Sequence, residues 1–301
     1  MIIDPTPVAE KRATFKKALS SGKLLQFPGA YNPLVALLVQ QLGFDGIYVS
    51  GGVMANSLGL PDVGLTTLSE VTQMAGNTAK VTALPTVMDV DTGFGETMNT
   101  FRTIQEIEYA GLSGCHIEDQ VLIKRCGHLD NKTLVAPAEM VNKVRAASKA
   151  KSDQNFVIIA RTDAAGVEGI DAAIERAKKY VDAGADMIFP EAMRDEKDFE
   201  TFRKAVDVPL LANMTEFGKS KLLTKVQLEN LGLNMVIYPV TTQRLALGAV
   251  ERGLRSLQEH GSQEQVLNEM QTRSRLYEVV NYEQYNELDQ SVFNFKLSEE
   301  Q

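Results

Sequence analysis

Short apolar segments alternate with longer amphipathic segments along most of this sequence, from Leu24 to about Leu257. The short segments have the length of strands, and residues 156–160 are apolar throughout, as in a strand buried on both faces of a parallel sheet. The longer segments have helical spacing, for example at Ile170, Ala173 and Ala177. The predicted strands are Leu24–Phe27, Gly46–Ser50, Pro85–Val90, Gly114–Glu118, Phe156–Arg161, Asp186–Pro190, Pro209–Asn213 and Met235–Pro239.

This alternation predicts an α/β fold, and about eight strands is the number in a (β/α)8 TIM-type barrel. A glycine follows a helical segment and precedes a strand at Gly43, Gly111, Gly184 and Gly232, where a left-handed helix cap is needed. We predict one domain over residues 1–301, with the barrel in 23–258. Residues 1–22 add a leading helix (Val8–Leu19), and 259–301 add a C-terminal helical extension.

Composition places the chain in the ordinary globular class, with 44% hydrophobic and 23% charged residues. A net charge of -8 argues against a nucleic-acid partner, which needs clustered Lys and Arg. Asp4 and Pro5 interrupt any signal peptide, and the longest apolar stretch, Leu34–Val39, is too short to cross a membrane. Cys115 and Cys126 are too few for a disulfide framework, so we expect free thiols and a cytoplasmic location.

Polar residues lie at or just after the ends of most predicted strands. In (β/α)8 barrels the active site forms at these C-terminal ends. The residues are Tyr48, Ser50, Asp89, Asp91, Glu118, Asp119, Arg161, Asp163, Glu191, Asn213, Thr215 and Arg244. So many carboxylates and arginines at one end of the strands predict a functional pocket.

Asp89 and Asp91 suggest a metal site, because alternate positions of an extended strand face the same side. Mg²⁺ favours a few carboxylates completed by water and substrate oxygens, and Glu118 could join directly or through water. A pair of loop-capping aspartates is the structural alternative. Ser50, Gly51 and Gly52 could bring backbone N–H groups close to a bound carboxylate, although such residues also serve ordinary turns.

Cys126 lies in a polar loop beside Lys124, Arg125 and His128, whose positive charge would lower the pKa of its thiol. The thiol could be a nucleophile, an acid or only an exposed side chain, and His128 could simply cap the loop. Cys115 lies within a predicted strand and is interpreted as a small core residue. Arg161, Arg244 and Arg273 could clamp the carboxylates of an anionic substrate.

These residues stand in motifs that resemble the isocitrate lyase and phosphoenolpyruvate mutase superfamily over nearly the whole chain. The motifs are Ser50–Gly52, Leu58–Asp62, Asp89–Gly95, His116–Gln120, Lys124–His128, Ala160–Ala164, Phe189–Ala192 and Asn213–Gly218. The Lys-Arg-Cys-Gly-His loop at Lys124–His128 resembles the lyase branch rather than the mutases and phosphonate-cleaving members.

The resemblance implies an oxo-acid lyase that cleaves 2-methylisocitrate, a tricarboxylate, into pyruvate and succinate by a retro-aldol reaction in propionate catabolism. It implies Mg²⁺, with Mn²⁺ as a substitute, on Asp89 and Asp91, and Cys126 as the acid that protonates the succinate carbanion. Tyr48, with Arg161 nearby, is the candidate base, and Lys124 and His128 complete the catalytic set. The implied substrate-binding residues are Ser50, Gly51, Gly52, Cys126, Gly127, Arg161, Glu191, Asn213, Met214, Thr215, Arg244 and Arg273.

The resemblance also implies a homotetramer that exchanges its C-terminal helices between subunits. Phe189 matches the methylisocitrate pattern, whereas Ile237 stands where relatives often have Leu. Isocitrate lyase, or another lyase or hydrolase of 2-hydroxy or 2-oxo diacids, is the enzymatic alternative. A barrel that only senses a carboxylate metabolite is the non-enzymatic alternative.

Overall fold

The computed structural model describes residues 6–122, 124–125, 127 and 131–294. In these residues every predicted strand is present, and its ends are shifted by two residues at most. The strands are β1 (Leu25–Pro28), β2 (Ile47–Val49), β3 (Thr86–Asp89), β4 (Gly114–Glu118), β5 (Val157–Thr162), β6 (Met187–Pro190), β7 (Leu211–Asn213) and β8 (Met235–Tyr238). All of their pairings are parallel, which confirms the predicted α/β class.

The strands form a five-stranded sheet, β2-β3-β4-β5-β6, and a three-stranded sheet, β1-β8-β7. Isolated parallel bridges link the sheets at both edges, between Gly29 and Tyr48 and between Ile188 and Leu210. Within the larger sheet, the register places Glu118 of β4 opposite Arg161 of β5. Polar residues at neighbouring strand ends are thereby brought side by side.

Helices connect the strands and extend the chain at both ends. They are α1 (Val8–Leu19), α2 (Pro33–Gln41), α3 (Gly51–Ser57), α4 (Leu68–Lys80), α5 (Thr97–Tyr109), α6 (Pro137–Ala150), α7 (Ile170–Asp182), α8 (Glu196–Ala205), α9 (Lys225–Asn230), α10 (Thr241–His260), α11 (Arg273–Val279) and α12 (Tyr282–Phe293). The four glycines predicted to end helices all have positive φ, from 75° at Gly232 to 108° at Gly184. Within the described residues, none of these helices has the length and hydrophobicity to cross a membrane.

The core consists of two clusters on opposite sides of the strands. One includes Val87, Val157, Ile159, Met187 and Phe189, together with residues of α1; the other lies between the strands and the connecting helices. Side chains alternate along a strand, so Asp89, Arg161 and Glu191 lie on the same side of the strands as the first cluster. These three residues lie at the C-terminal ends of their strands, where polar groups replace the apolar side chains of the cluster.

Candidate active site

A cavity of about 180 Å³ opens at the C-terminal ends of the strands. Most of the predicted site residues line it, and Asn56, Asp62, Arg125, Phe189, Ile237, Pro239 and Val240 do so as well. The predicted residues in its lining are Tyr48, Ser50, Gly52, Asp89, Lys124, Gly127, Arg161, Glu191, Asn213, Thr215 and Arg244. The structure therefore brings residues from six strand ends and the loop after β4 to one place.

Asp89 and Asp91 lie close together, but the backbone between them is not the extended strand that the sequence predicted. The chain does not stay extended: Asp91 has φ 47°, in the left-handed region, and its N–H donates to Asp89 Oδ1 at 2.9 Å. Asp89 Oδ2 and Asp91 Oδ1 lie 2.8 Å and 3.0 Å from the point where a Cβ on Gly51 would stand. Glycine at this position leaves the two carboxylates room to face one another.

Lys124 is buried against these carboxylates. Its ammonium pairs with Asp62 and lies 2.7 Å from Asp91 Oδ1. Burial alone would lower the pKa of Lys124, but the surrounding carboxyl groups, Glu118 and Asp91 first, outweigh burial and raise it above its usual value. Lys124 therefore stays charged and directs that charge at the predicted metal site.

Arg161 is the main cation of the cavity and pairs with three buried carboxyl groups. It binds Asp163 through two hydrogen bonds, of 2.9 Å and 3.1 Å, and lies 3.2 Å from Glu118 and 3.4 Å from Glu191. Its guanidinium also lies over the Phe189 ring, 5.3 Å from the centroid. These contacts with Asp163, Glu118, Glu191 and Phe189 fix the orientation of the guanidinium on four sides.

Tyr48 forms a buried hydrogen bond with a residue to which the sequence argument gave no role. Its hydroxyl lies 2.6 Å from His116 Nε2. Burial lowers the pKa of His116 to about 4, so the imidazole is neutral at neutral pH, and burial, then Asp89, raises the pKa of Tyr48 well above 10. The strand alternation could have identified His116, because it shares its face of β4 with Glu118.

The group of acidic residues fits a divalent cation. The described residues contain no group of three or more His, Cys, Asp or Glu side chains placed to hold a metal, and Asp89 and Asp91 are two carboxylates that face one another. Asp91 Oδ1 and both oxygens of Glu118 are buried without a hydrogen bond of normal geometry, although Lys124 and Arg161 lie near them. Mg²⁺ is commonly bound by one or two carboxylates with water and substrate oxygens.

The remaining predicted residues lie at the edge of the cavity or away from it. The Arg244 side chain is 43% exposed and pairs with Glu216 at 3.1 Å. Met214 is buried in the core between strands and helices, where its sulfur accepts the Leu223 N–H. Arg273 begins α11, is exposed, and does not line the cavity of its own chain. Cys126 and His128 lie outside the described residues, so their predicted roles rest on the sequence alone.

Residues 15–258 match the family model of phosphoenolpyruvate phosphomutase. A Corynebacterium glutamicum protein named probable 2-methylisocitrate lyase 1 is 56% identical over 97% of this chain and 96% of its own. The Escherichia coli 2-methylisocitrate lyase is 47% identical over 93% of this chain and 95% of its own.

Two solved structures show the same architecture. The crystal structure of a 2,3-dimethylmalate lyase, a member of the phosphoenolpyruvate mutase and isocitrate lyase superfamily, superposes with a TM-score of 0.89 at 28% identity, over 98% of this chain and all of the other. A phosphonopyruvate hydrolase in complex with oxalate and Mg²⁺ superposes with a TM-score of 0.84 at 29% identity, over 93% of this chain and 98% of the other.

Proposed function

Because this chain belongs to the phosphoenolpyruvate mutase and isocitrate lyase superfamily, we propose that it is a lyase that cleaves 2-methylisocitrate into pyruvate and succinate. The observation that carries this proposal is the single cavity in which Asp89, Arg161 and Gly127 of the lyase-type loop meet. The side chains of such a site can hold a polyanion, remove the proton from its hydroxyl group and protonate the carbon left by bond cleavage.

The reaction begins with the loss of the substrate hydroxyl proton. Tyr48 is the proposed base, which accepts this proton in its phenolate form, and neutral His116, 2.6 Å from its oxygen, would donate an N–H to that phenolate. Mg²⁺ on Asp89 and Asp91, with Glu118 joining directly or through water, would stabilise the negative charge on the hydroxyl oxygen. Lys124 holds Asp91 in place through its 2.7 Å ion pair.

The carbon–carbon bond then breaks, the hydroxyl carbon becomes the carbonyl of pyruvate, and the electron pair moves to the succinate half. Cys126 donates its thiol proton to that carbon as a general acid, and His128 supports it. Arg161, Asn213, Thr215 and Arg244 hold the carboxylates, and Ser50 and Gly52 offer backbone N–H groups. The N–H groups of Gly51 and Met214 already donate to Asp89 and to the Ile237 carbonyl. Glu191 fixes Asn213, because the side-chain amide of Asn213 donates to the Glu191 carboxylate at 3.3 Å.

The substrate assignment is tested by products. Purified protein with Mg²⁺ and 2-methylisocitrate should release pyruvate, which lactate dehydrogenase detects. Isocitrate has to be tested beside it, because one methyl group changes binding by only about 1–3 kcal/mol. Glyoxylate released from isocitrate at comparable efficiency would overturn the proposed substrate. Tight binding without any turnover would instead support the carboxylate-sensing alternative.

We propose that the two sheets close into one (β/α)8 barrel and that residues 1–301 form a single domain. The bridges that join β1 to β2 and β6 to β7 support closure. The core cluster of alternate strand residues, with Phe15 and Leu19 of α1, supports a filled barrel interior.

A homotetramer with exchanged C-terminal helices is part of the same proposal. Helices α10 to α12 expose many large apolar side chains, including Leu245, Leu254, Leu288 and Phe293, which a partner subunit would cover. The exposed Arg273 would then reach a neighbouring cavity. Light scattering should give a mass four times that of the chain, whereas a monomeric mass with full activity would contradict the exchange.

Mg²⁺ binding should weaken as the pH falls below about 6. Burial and then the neighbouring Asp89 raise the pKa of Asp91 to about 6. Below this pH a proton occupies the carboxylate that the cation needs, so the apparent affinity should fall by up to about tenfold per pH unit. Calorimetric titration from about pH 5 to pH 8 measures this. Constant affinity across that range would contradict the assignment of Asp91.

Replacing Gly51 with alanine should weaken Mg²⁺ binding by about 10- to 100-fold while leaving the fold intact. The new methyl group would stand 2.8 Å from Asp89 Oδ2 and push the carboxylates apart. Gly248→Ala is the matched control, because Gly248 lies in helix α10 and, among the described residues, a Cβ there would meet only Arg252, at 3.6 Å. Calorimetry and circular dichroism distinguish the two variants, and equal Mg²⁺ affinities would argue against the site.

A further inference from the structure

The residue before position 126 is held by a buried glutamine. The Gln120 side chain, 1% exposed, donates to the Arg125 carbonyl at 2.8 Å and accepts the Arg125 N–H at 2.9 Å. One amide side chain thus satisfies both backbone groups of a single loop residue. This arrangement fixes the backbone of Arg125 relative to the end of β4.

The residue after position 126 is held by a buried lysine. Lys132 Nζ donates to the Gly127 carbonyl at 2.6 Å and to Asp163 Oδ1 at 2.8 Å, and the Lys132 side chain is only 3% exposed. Asp163 is also the carboxylate that binds Arg161 through two hydrogen bonds. The loop carbonyl is therefore tied to the group that orients Arg161.

Gly127 itself packs on the cavity. A Cβ at this position would lie 2.4 Å from an Arg161 nitrogen and 2.6 Å from Glu191 Cγ, so the loop backbone rests directly on these side chains. Burying an ammonium is costly unless it is well paired. Asp163 is already paired with Arg161, so it does not need Lys132 as a partner. The hydrogen bond from Lys132 to the Gly127 carbonyl therefore requires a separate explanation.

We propose that Lys132 and Gln120 are positioning residues, which fix the backbone of Arg125 and Gly127 and so hold the loop that carries the proposed acid against Arg161 and Glu191. This inference rests on the proposed function, in which Cys126 donates the proton. Neither residue touches the reacting atoms. Their loss should misplace the acid without weakening substrate binding, and a displacement of about 1 Å can cost about 100-fold in rate.

The test compares Lys132→Met with Lys11→Met. Lys11 is also a buried lysine that donates to backbone carbonyls, but those of Ala79 and Thr82 precede β3, at the end of the strands opposite the cavity. Lys132→Met should lower kcat by about 10- to 100-fold with KM within about threefold, whereas Lys11→Met should keep kcat within about twofold per folded molecule. Gln120→Met should behave like Lys132→Met, and it serves as the second variant if the first does not fold.

Amide hydrogen exchange provides a readout independent of turnover. Residues 124–131 should exchange at least about tenfold faster in Lys132→Met than in wild type, and at the wild-type rate in Lys11→Met. Unchanged exchange, or a kcat equal to that of the Lys11 control, would overturn the positioning role. If wild-type protein does not cleave 2-methylisocitrate, the proposed function fails, and the exchange rates alone then decide whether Lys132 and Gln120 hold the loop.

Discussion

Replacing Arg161 with methionine should reduce turnover by about 100- to 1000-fold, the usual cost of removing a positioned charge from an active site. It should also destabilise the fold by about 3–5 kcal/mol, because Glu118, Asp163 and Glu191 would lose their shared buried partner. Lys132 would still pair with Asp163, which limits the loss. Steady-state kinetics and urea unfolding measure the two effects.

Arg12 provides a matched control for the stability effect. It is also a buried arginine, pairs with Glu108 and Asp153, and lies over the Phe156 ring at 5.6 Å. It does so near the starts of β4 and β5, at the end opposite the cavity. Arg12→Met should therefore lower stability by a similar amount but keep kcat near normal for folded protein. Equal loss of kcat in both variants would mean that Arg161 has only a structural role.

Replacing Cys126 with serine should reduce turnover by about 100- to 10,000-fold, the range that general acid catalysis contributes. A serine hydroxyl holds its proton much more tightly than a thiol, so it cannot protonate the carbanion efficiently. The substrate KM should change little, because the carboxylate-binding groups remain. The neighbouring Gly127 rests on Arg161 and Glu191 of the cavity.

Cys115→Ser is the control for the thiol. Cys115 is completely buried in β4, and burial raises the pKa of its thiol far above the usual range, so it cannot deliver a proton. This variant should be somewhat less stable and should turn over normally when folded. Similar kcat values for the two serine variants would contradict the role of Cys126.

The sequence predicted the strands well because their signals are local. Apolar runs and the glycines that end helices are visible without knowledge of the partner strands, and all eight strands were located to within two residues. The rule that barrel active sites form at the C-terminal ends then identified most of the cavity lining, including Asp89, Arg161 and Glu191.

The contacts between distant residues could not be predicted in this way. Lys124 was assigned to the environment of a thiol, yet its ammonium pairs with Asp62 and Asp91, and nothing in the spacing of these residues shows that they meet. The left-handed turn at Asp91 is likewise unfavourable for a non-glycine residue and is imposed by the surrounding structure. Lys132 looks like an ordinary surface lysine in sequence, and only its buried contacts give it a role.

The position at which deuterium from D₂O enters the products tests the proposed retro-aldol cleavage most directly. When 2-methylisocitrate is cleaved in D₂O with Mg²⁺, an exchangeable acid such as Cys126 should place a single deuterium on the succinate carbon released by bond cleavage. The methyl group of pyruvate should carry none, because no carbanion forms there. NMR of the products at early times measures both. Succinate without deuterium, or pyruvate deuterated during the reaction, would contradict a retro-aldol cleavage completed by an acid of the protein.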